Sequence, residues 1–118
     1  MGATIYFGVV AVDITGEIYP DTDATSSNIL SLALRLEYDV MGQLSLTAAP
    51  TETIKKERLK FAIILFTASE LESREPHSRA DGSVREDKFS RVLWMQKAKD
   101  ILSDYKGNNP VFFEQPFT

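Results

Sequence analysis

The sequence contains no cysteine and only one histidine among its 118 residues. The lack of cysteine excludes disulfide bonds and thiolate chemistry and leaves the redox compartment open. The one histidine, His77, lies in a polar stretch, where a solvated loop residue is the ordinary interpretation. The sequence also has no glycine-rich phosphate loop, no metal-ligand spacing and no catalytic triad. We therefore predict neither catalysis nor a cofactor.

The chain also has no excess of basic residues. The chain has 13 basic and 17 acidic residues and a net charge of −4, whereas electrostatic binding of nucleic acid needs a concentrated basic face. There is no apolar run long enough to cross a bilayer, and the first residues lack the basic segment of a signal peptide. We expect a cytoplasmic product without a membrane partner. Its length allows one domain with a single core.

The longest uninterrupted stretch, without glycine or proline, runs from Glu52 to Ser73. Its first third consists of charged residues that favour helices, and its middle, Phe61 to Phe66, is apolar on every face. Six apolar residues in a row also suit a buried strand. Length favours a helix, because the strand would have to arise inside a much longer helical sequence. A helix that is apolar all round must be covered all round, either by this chain or by a neighbour.

Two further helices flank this central one. Capping residues are dense between Asp21 and Asn28, and they predict a helix over Ser26–Met41 that ends at Gly42. Ser83 and Glu86 fit a capping box and predict a third helix over Val84–Tyr105, followed by Gly107 as a stop. Its expected apolar face comprises Phe89, Val92, Leu93, Trp94, Ala98, Ile101, Leu102 and Tyr105. Phe89 and Trp94 are expected in the core rather than in a ligand cage.

The two ends of the chain differ in composition from the predicted helices. Residues 3 to 14 are rich in β-branched and aromatic types and predict an extended or strand-like arm. Near the other end, Pro110 and Pro116 remove backbone donors and hold the chain extended. The predicted fold is mainly α: a small three-helix bundle with an extended N-terminal arm and an extended C-terminal tail. Residues 1–107 form the helical domain, and residues 108–118 form the tail.

The segment Asp21 to Thr25 matches the DxDxT signature of phosphotransferases with an aspartyl nucleophile. That chemistry needs the first aspartate at the end of a buried strand, and residues 17 to 20 are not such a strand. A calcium loop beginning at the same residues fails at Ser26, where glycine is needed, and at Leu32, where glutamate is needed. The sequence therefore favours helix capping for this segment.

Three arginines, Arg74, Arg79 and Arg85, lie among acidic residues between the second and third predicted helices. A solvated loop of mixed charge is favoured there over a phosphate site, and these arginines remain candidates for loop contacts.

The tail carries more apolar surface than so short a segment can bury by itself. Two interpretations stay open: its phenylalanines fold back over the chain's own bundle, or they anchor in another subunit. The candidate partner-binding residues are Asn109, Pro110, Val111, Phe112, Phe113, Pro116 and Phe117.

The order of these segments resembles the head–tail connector (adaptor) family of tailed double-stranded DNA phages. The likeness rests on an Ile-Tyr-Phe…Val-Asp-Ile segment, on PDTDATSSNILSLALRLEYDVMGQL, on ERLKFAIILFTASELESR, and on SVREDKFSRVLWMQKAKDILSDYKG. The resemblance implies a homo-oligomeric, typically dodecameric, ring in the virion neck. It further implies a tail that docks on the portal protein, a stopper or tail protein at the other end, and DNA that passes through without specific binding. An alternative is a small helical regulatory or antitoxin-like module that binds one partner.

Overall fold

A computed structural model describes the protein over residues 2–20, 22–74 and 88–108. These ranges contain four helices: α1 (Ala11–Thr15), α2 (Ser26–Gln43), α3 (Thr53–Arg74) and α4 (Lys88–Asn108). No strand occurs in the described ranges. The prediction of a mainly α fold, a small helical bundle, is confirmed.

The central position of α3 is confirmed as well. It contacts α1, α2 and α4, whereas the described parts of α2 and α4 do not contact each other. The apolar middle of α3 is covered by the chain's own helices, since Ala62, Ile63 and Leu65 are fully buried. Within this run, Phe61 is exposed and Phe66 is partly buried. A neighbouring chain is therefore not needed to cover most of this helix.

Helix α2 begins as predicted but ends later. The Thr25 side chain accepts a hydrogen bond from the Asn28 N–H at 3.1 Å, which satisfies one of the free donors of the first turn. The apolar stripe of this helix faces the core, with Ile29, Leu32, Ala33 and Val40 buried and Leu36 partly buried.

The prediction that Gly42 ends α2 is wrong. The helix passes through Gly42, and Ser45 takes the left-handed conformation instead, with φ of 56°. The Leu46 N–H donates to the Met41 carbonyl at 2.9 Å and the Ser45 N–H donates to the Gly42 carbonyl at 3.2 Å, the pattern of a Schellman motif. Buried Leu44 anchors the chain where the helix stops.

The strand-like interpretation of residues 3 to 14 is also wrong, because its last part forms α1. The Val10 N–H donates to the Asp13 carboxylate at 2.9 Å, which starts this short helix. Residues 2 to 10 contain no helix; within them, the Thr4 N–H donates to the Val9 carbonyl at 2.9 Å. Gly8, with φ of +70°, allows the tight turn between Thr4 and Val9.

Helix α4 packs along α3 through a narrower face than predicted. Ala98 and Leu102 are buried, and Trp94, Ile101 and Tyr105 are partly buried, but Val92 and Leu93 are exposed. Because α4 contacts only α3 among the described helices, one stripe is buried. The helix also continues through Gly107 to Asn108, so the predicted stop at Gly107 is wrong. The predicted start at residues 84 to 87, its capping box and the Phe89 side chain lie outside the described residues.

Candidate functional site

The N-terminal segment is held to the bundle by a buried carboxylate. The two oxygens of Glu37, on α2, accept hydrogen bonds from the Tyr6 N–H at 2.9 Å and the Phe7 N–H at 3.0 Å. A buried carboxylate is tolerated only when its oxygens have such partners. Phe7 is itself buried in the core. This segment is therefore built into its own fold rather than presented to another chain.

A second buried carboxylate joins the segment after α1 to the end of α3. The Tyr19 hydroxyl donates a hydrogen bond to Oε1 of Glu72, and both side chains are buried. Burial, followed by the hydrogen bond and the negative charge of Glu72, raises the pKa of Tyr19 well above its ordinary value. Tyr19 is therefore a protonated donor at neutral pH.

The Tyr19 ring also contacts α4. Its centroid lies 5.4 Å from that of Trp94, with the rings tilted by 47°, a favourable arrangement for an aromatic pair. Trp94 is partly buried and packs against the core, as expected of a packing residue. These three side chains join three segments of the fold. Because Tyr19 and Glu72 are closed off from solvent, they offer no access to a substrate.

The DxDxT segment serves the start of α2. The Thr22 hydroxyl accepts from the Ala24 N–H at 3.2 Å, and Thr25 caps the helix. Residues 16 to 20 form turns and coil rather than the strand that a phosphotransferase would need. Asp21 lies outside the described residues. The capping interpretation is confirmed at Thr25.

Most of the predicted partner-binding residues lie outside the part of the chain that the structure describes. These are the tail residues Asn109, Pro110, Val111, Phe112, Phe113, Pro116 and Phe117, together with Arg79 and Arg85. His77, predicted to be a solvated loop residue, also lies outside the described part. Arg74 is the last residue of α3, and its side chain also lies outside the described part.

The structure does show where the tail begins. Asp104, in the last turns of α4, forms an ion pair with Arg58 of α3 at 2.6 Å. Tyr105 and Ile54 line the same shallow groove. The chain therefore leaves the bundle beside the first turns of α3.

Exposed large apolar side chains occur on several elements of the described chain. They are Ile5 before α1, Val12 on α1, Tyr38 on α2, Ile54 and Phe61 on α3, and Val92 and Leu93 on α4. Sequence periodicity assigned Val92, Leu93 and Phe61 to buried faces. A helical pattern alone does not tell which part of a wide apolar face lacks a neighbour.

Within the described ranges, no cluster of three or more histidine, cysteine, aspartate or glutamate residues is arranged to hold a metal ion. None of the described helices is long and apolar enough to cross a membrane. Comparisons with protein-family models, curated proteins and solved structures found no match.

Proposed function

We propose that the protein is a structural, non-catalytic component of a phage neck, a head–tail connector that forms a ring between the portal and the tail or stopper. The observation that carries the proposal is the placement of exposed apolar residues on α2 and α4. These helices pack on α3 and, over their described residues, do not contact each other. Each leaves an apolar surface open, Tyr38 on α2 and Val92 with Leu93 on α4.

Two different apolar surfaces on one chain are what a head-to-tail contact requires. In such a contact, one surface of a copy meets the other surface of the next copy, and the series closes into a ring if the rotation allows. In the proposed assembly, Tyr38 of one copy packs against Val92 and Leu93 of its neighbour. Tyrosine suits this position because it has a large apolar body and a polar end. The ring size, dodecameric, comes from the family resemblance.

The tail anchors the ring to the portal. Phe112, Phe113 and Phe117 supply apolar anchors for pockets on a partner, and aromatic residues often dominate such contacts. Pro110 and Pro116 restrict the unbound chain and so lower the entropy lost on docking. The last turns of α4 contact α3, as the pair of Arg58 and Asp104 shows, which gives the tail a fixed starting point.

The charge of the chain suits a conduit for DNA. A net charge of −4 favours a wall that does not bind the phosphates of the passing duplex. No described residue has to contact DNA bases in this role. The stopper or tail protein binds at the end of the ring away from the portal.

The test uses the portal protein encoded next to this gene. If the flanking genes encode a portal or capsid protein and tail proteins, that portal is produced with the full chain and with a chain that ends at Asn108. We expect the shortened chain to keep the helical circular dichroism of the full chain and to lose portal binding. Portal binding that is unchanged by the deletion would refute the anchor. Metabolic or regulatory neighbours, with a one-to-one complex in place of a ring, would favour the regulatory alternative.

A further inference from the structure

An outward stripe on α3 carries two large apolar residues that the bundle does not cover. Ile54 is 73% exposed and Phe61 is 41% exposed. They are seven residues apart, so they lie on the same side of the helix, about two turns from each other. Exposed Glu57 and Arg58 lie between them. The stripe is apolar at both ends and charged in the middle.

A groove lies beside the Phe61 end of this stripe. Val12, Ile18, Phe61 and Ile64 line it together with Gly16 and the acidic residues Asp13 and Glu17, and its volume is about 350 Å³. Val12 is 64% exposed, so its apolar side chain is open to solvent at the groove. The groove therefore has room for an aliphatic side chain beside Val12, Phe61 and Ile64, with the two carboxylates in its wall.

We propose that this stripe is a two-fold contact between two copies of the chain, with the α3 helices packed antiparallel. The two-fold axis passes between Glu57 and Arg58. Ile54 of each copy then enters the groove beside Phe61 of the other, and Glu57 of each copy meets Arg58 of the other.

The order of the charged residues along the stripe favours a second copy of the chain as the binding partner. In an antiparallel pair, residues at equal distances on either side of the axis face each other. The apolar ends therefore meet each other, and the adjacent acid and base form two opposite-charge pairs. A two-fold contact requires this self-complementarity. A contact with an unrelated partner does not require it.

The neighbouring charges are compatible with this contact. Arg58 already binds Asp104 of its own chain at 2.6 Å, but a guanidinium has five N–H donors and can bind a second carboxylate. Lys55 lies 3.3 Å from Glu52, and Lys60 lies 3.9 Å from Asp13. Each lysine is thus countered within its own chain, which limits repulsion across the axis.

The contact spans about two turns of each helix, which places it among small interfaces. We therefore expect a dimer that dissociates on dilution. The stripe shares no residue with the surfaces formed by Tyr38 and by Val92 with Leu93, so this inference does not rest on the phage-neck proposal. It is tested on the isolated full chain, without a portal, so the two proposals can fail separately.

The test is a charge swap followed by analytical ultracentrifugation over a range of concentrations. The wild-type chain should form dimers at high concentration. Glu57→Arg places two basic residues at the axis in each copy, and Arg58→Glu places two acidic residues there, so each variant alone should be monomeric. An equimolar mixture of the two variants should form dimers again, because every pair across the axis then has opposite charges.

Two exposed residues away from the stripe provide controls with matched charge changes. Asp39→Arg on α2 and Lys97→Glu on α4 should dimerise like the wild type. A wild-type chain that is monomeric at all concentrations would overturn the proposal, as would an assembly that neither single variant changes. A mixture that stays monomeric would overturn the pairing of Glu57 with Arg58.

Discussion

The Tyr19 hydroxyl donates a hydrogen bond to the Glu72 carboxylate in the interior of the bundle. The two residues are 53 positions apart in the sequence, and their contact joins the segment after α1 to the end of α3. The same tyrosine ring lies against Trp94 of α4. One side chain therefore links three parts of the fold, and its removal should have a large effect.

Tyr19→Phe should lower the free energy of unfolding by about 1 to 3 kcal/mol, because the buried Glu72 carboxylate loses this donor while keeping its position. The measurement is urea denaturation followed by circular dichroism. Tyr38→Phe, which removes the hydroxyl of an exposed tyrosine, is the matched control and should change stability by less than about 0.5 kcal/mol. Equal stability of Tyr19→Phe and wild type would contradict the role of this bond.

The same tyrosine makes stability depend on alkaline pH. Its pKa is raised in the folded state, above the ordinary value of 10.0. Between the unfolded and the folded pKa, the unfolded chain binds fewer protons than the folded chain. The contribution of Tyr19 to stability is therefore fully present below about pH 10, and it decreases as the pH rises towards the pKa of the folded state. The urea midpoint should decrease more between pH 8 and pH 11 for the wild type than for Tyr19→Phe. Equal decreases for the two proteins would contradict this.

Glu37 should control the opening of the N-terminal segment. In Glu37→Gln, only one side-chain oxygen remains to accept from the Tyr6 and Phe7 N–H groups, so one buried donor loses its partner at a cost of about 1 to 3 kcal/mol. Hydrogen exchange measured by NMR should be faster at these two amides than in wild type. The exposed Glu17→Gln variant serves as the control. Unchanged protection of both amides in Glu37→Gln would show that another group holds the segment.

The end of α2 can be tested with substitutions of opposite kinds. Gly42 is helical, and a Cβ added there meets no atom within 4 Å, so Gly42→Ala should stabilise the protein by about 0.5 to 1 kcal/mol. Ser45→Gly should stabilise it too, because glycine adopts the left-handed conformation without strain. Thermal unfolding measures both effects. Destabilisation by Gly42→Ala would show that the helix ends at Gly42.

Signals for the long helices are local, and the sequence predicted these helices well. Thr25 and the stripe from Ile29 to Val40 identify α2, and an uninterrupted run of helix-forming residues identifies α3. Helix ends were harder to predict, because α2 and α4 both pass through the glycines expected to stop them. Helix α1 was missed since its β-branched residues favour strands, and its start depends on one carboxylate, that of Asp13.

The buried carboxylates could not be predicted from the sequence. A glutamate within an amphipathic helix usually faces solvent, and the partners of Glu37 and Glu72 lie 30 and 53 residues away in the chain. Exposure of Val92, Leu93 and Phe61 depends equally on which neighbours the fold supplies. The tail was identified by composition alone, and its residues lie outside the described part of the chain. Its docking on a portal remains a prediction.

The central claim is that copies of this chain form a ring on a portal. If the flanking genes encode a portal protein, electron microscopy of the full chain mixed with that portal measures this most directly. We expect a closed ring of copies of the chain seated on the portal, with Tyr38 of each copy near Val92 and Leu93 of the next. Tyr38→Glu should prevent ring closure while leaving the circular dichroism unchanged. A portal without bound chain, or a one-to-one complex with another protein, would contradict the claim.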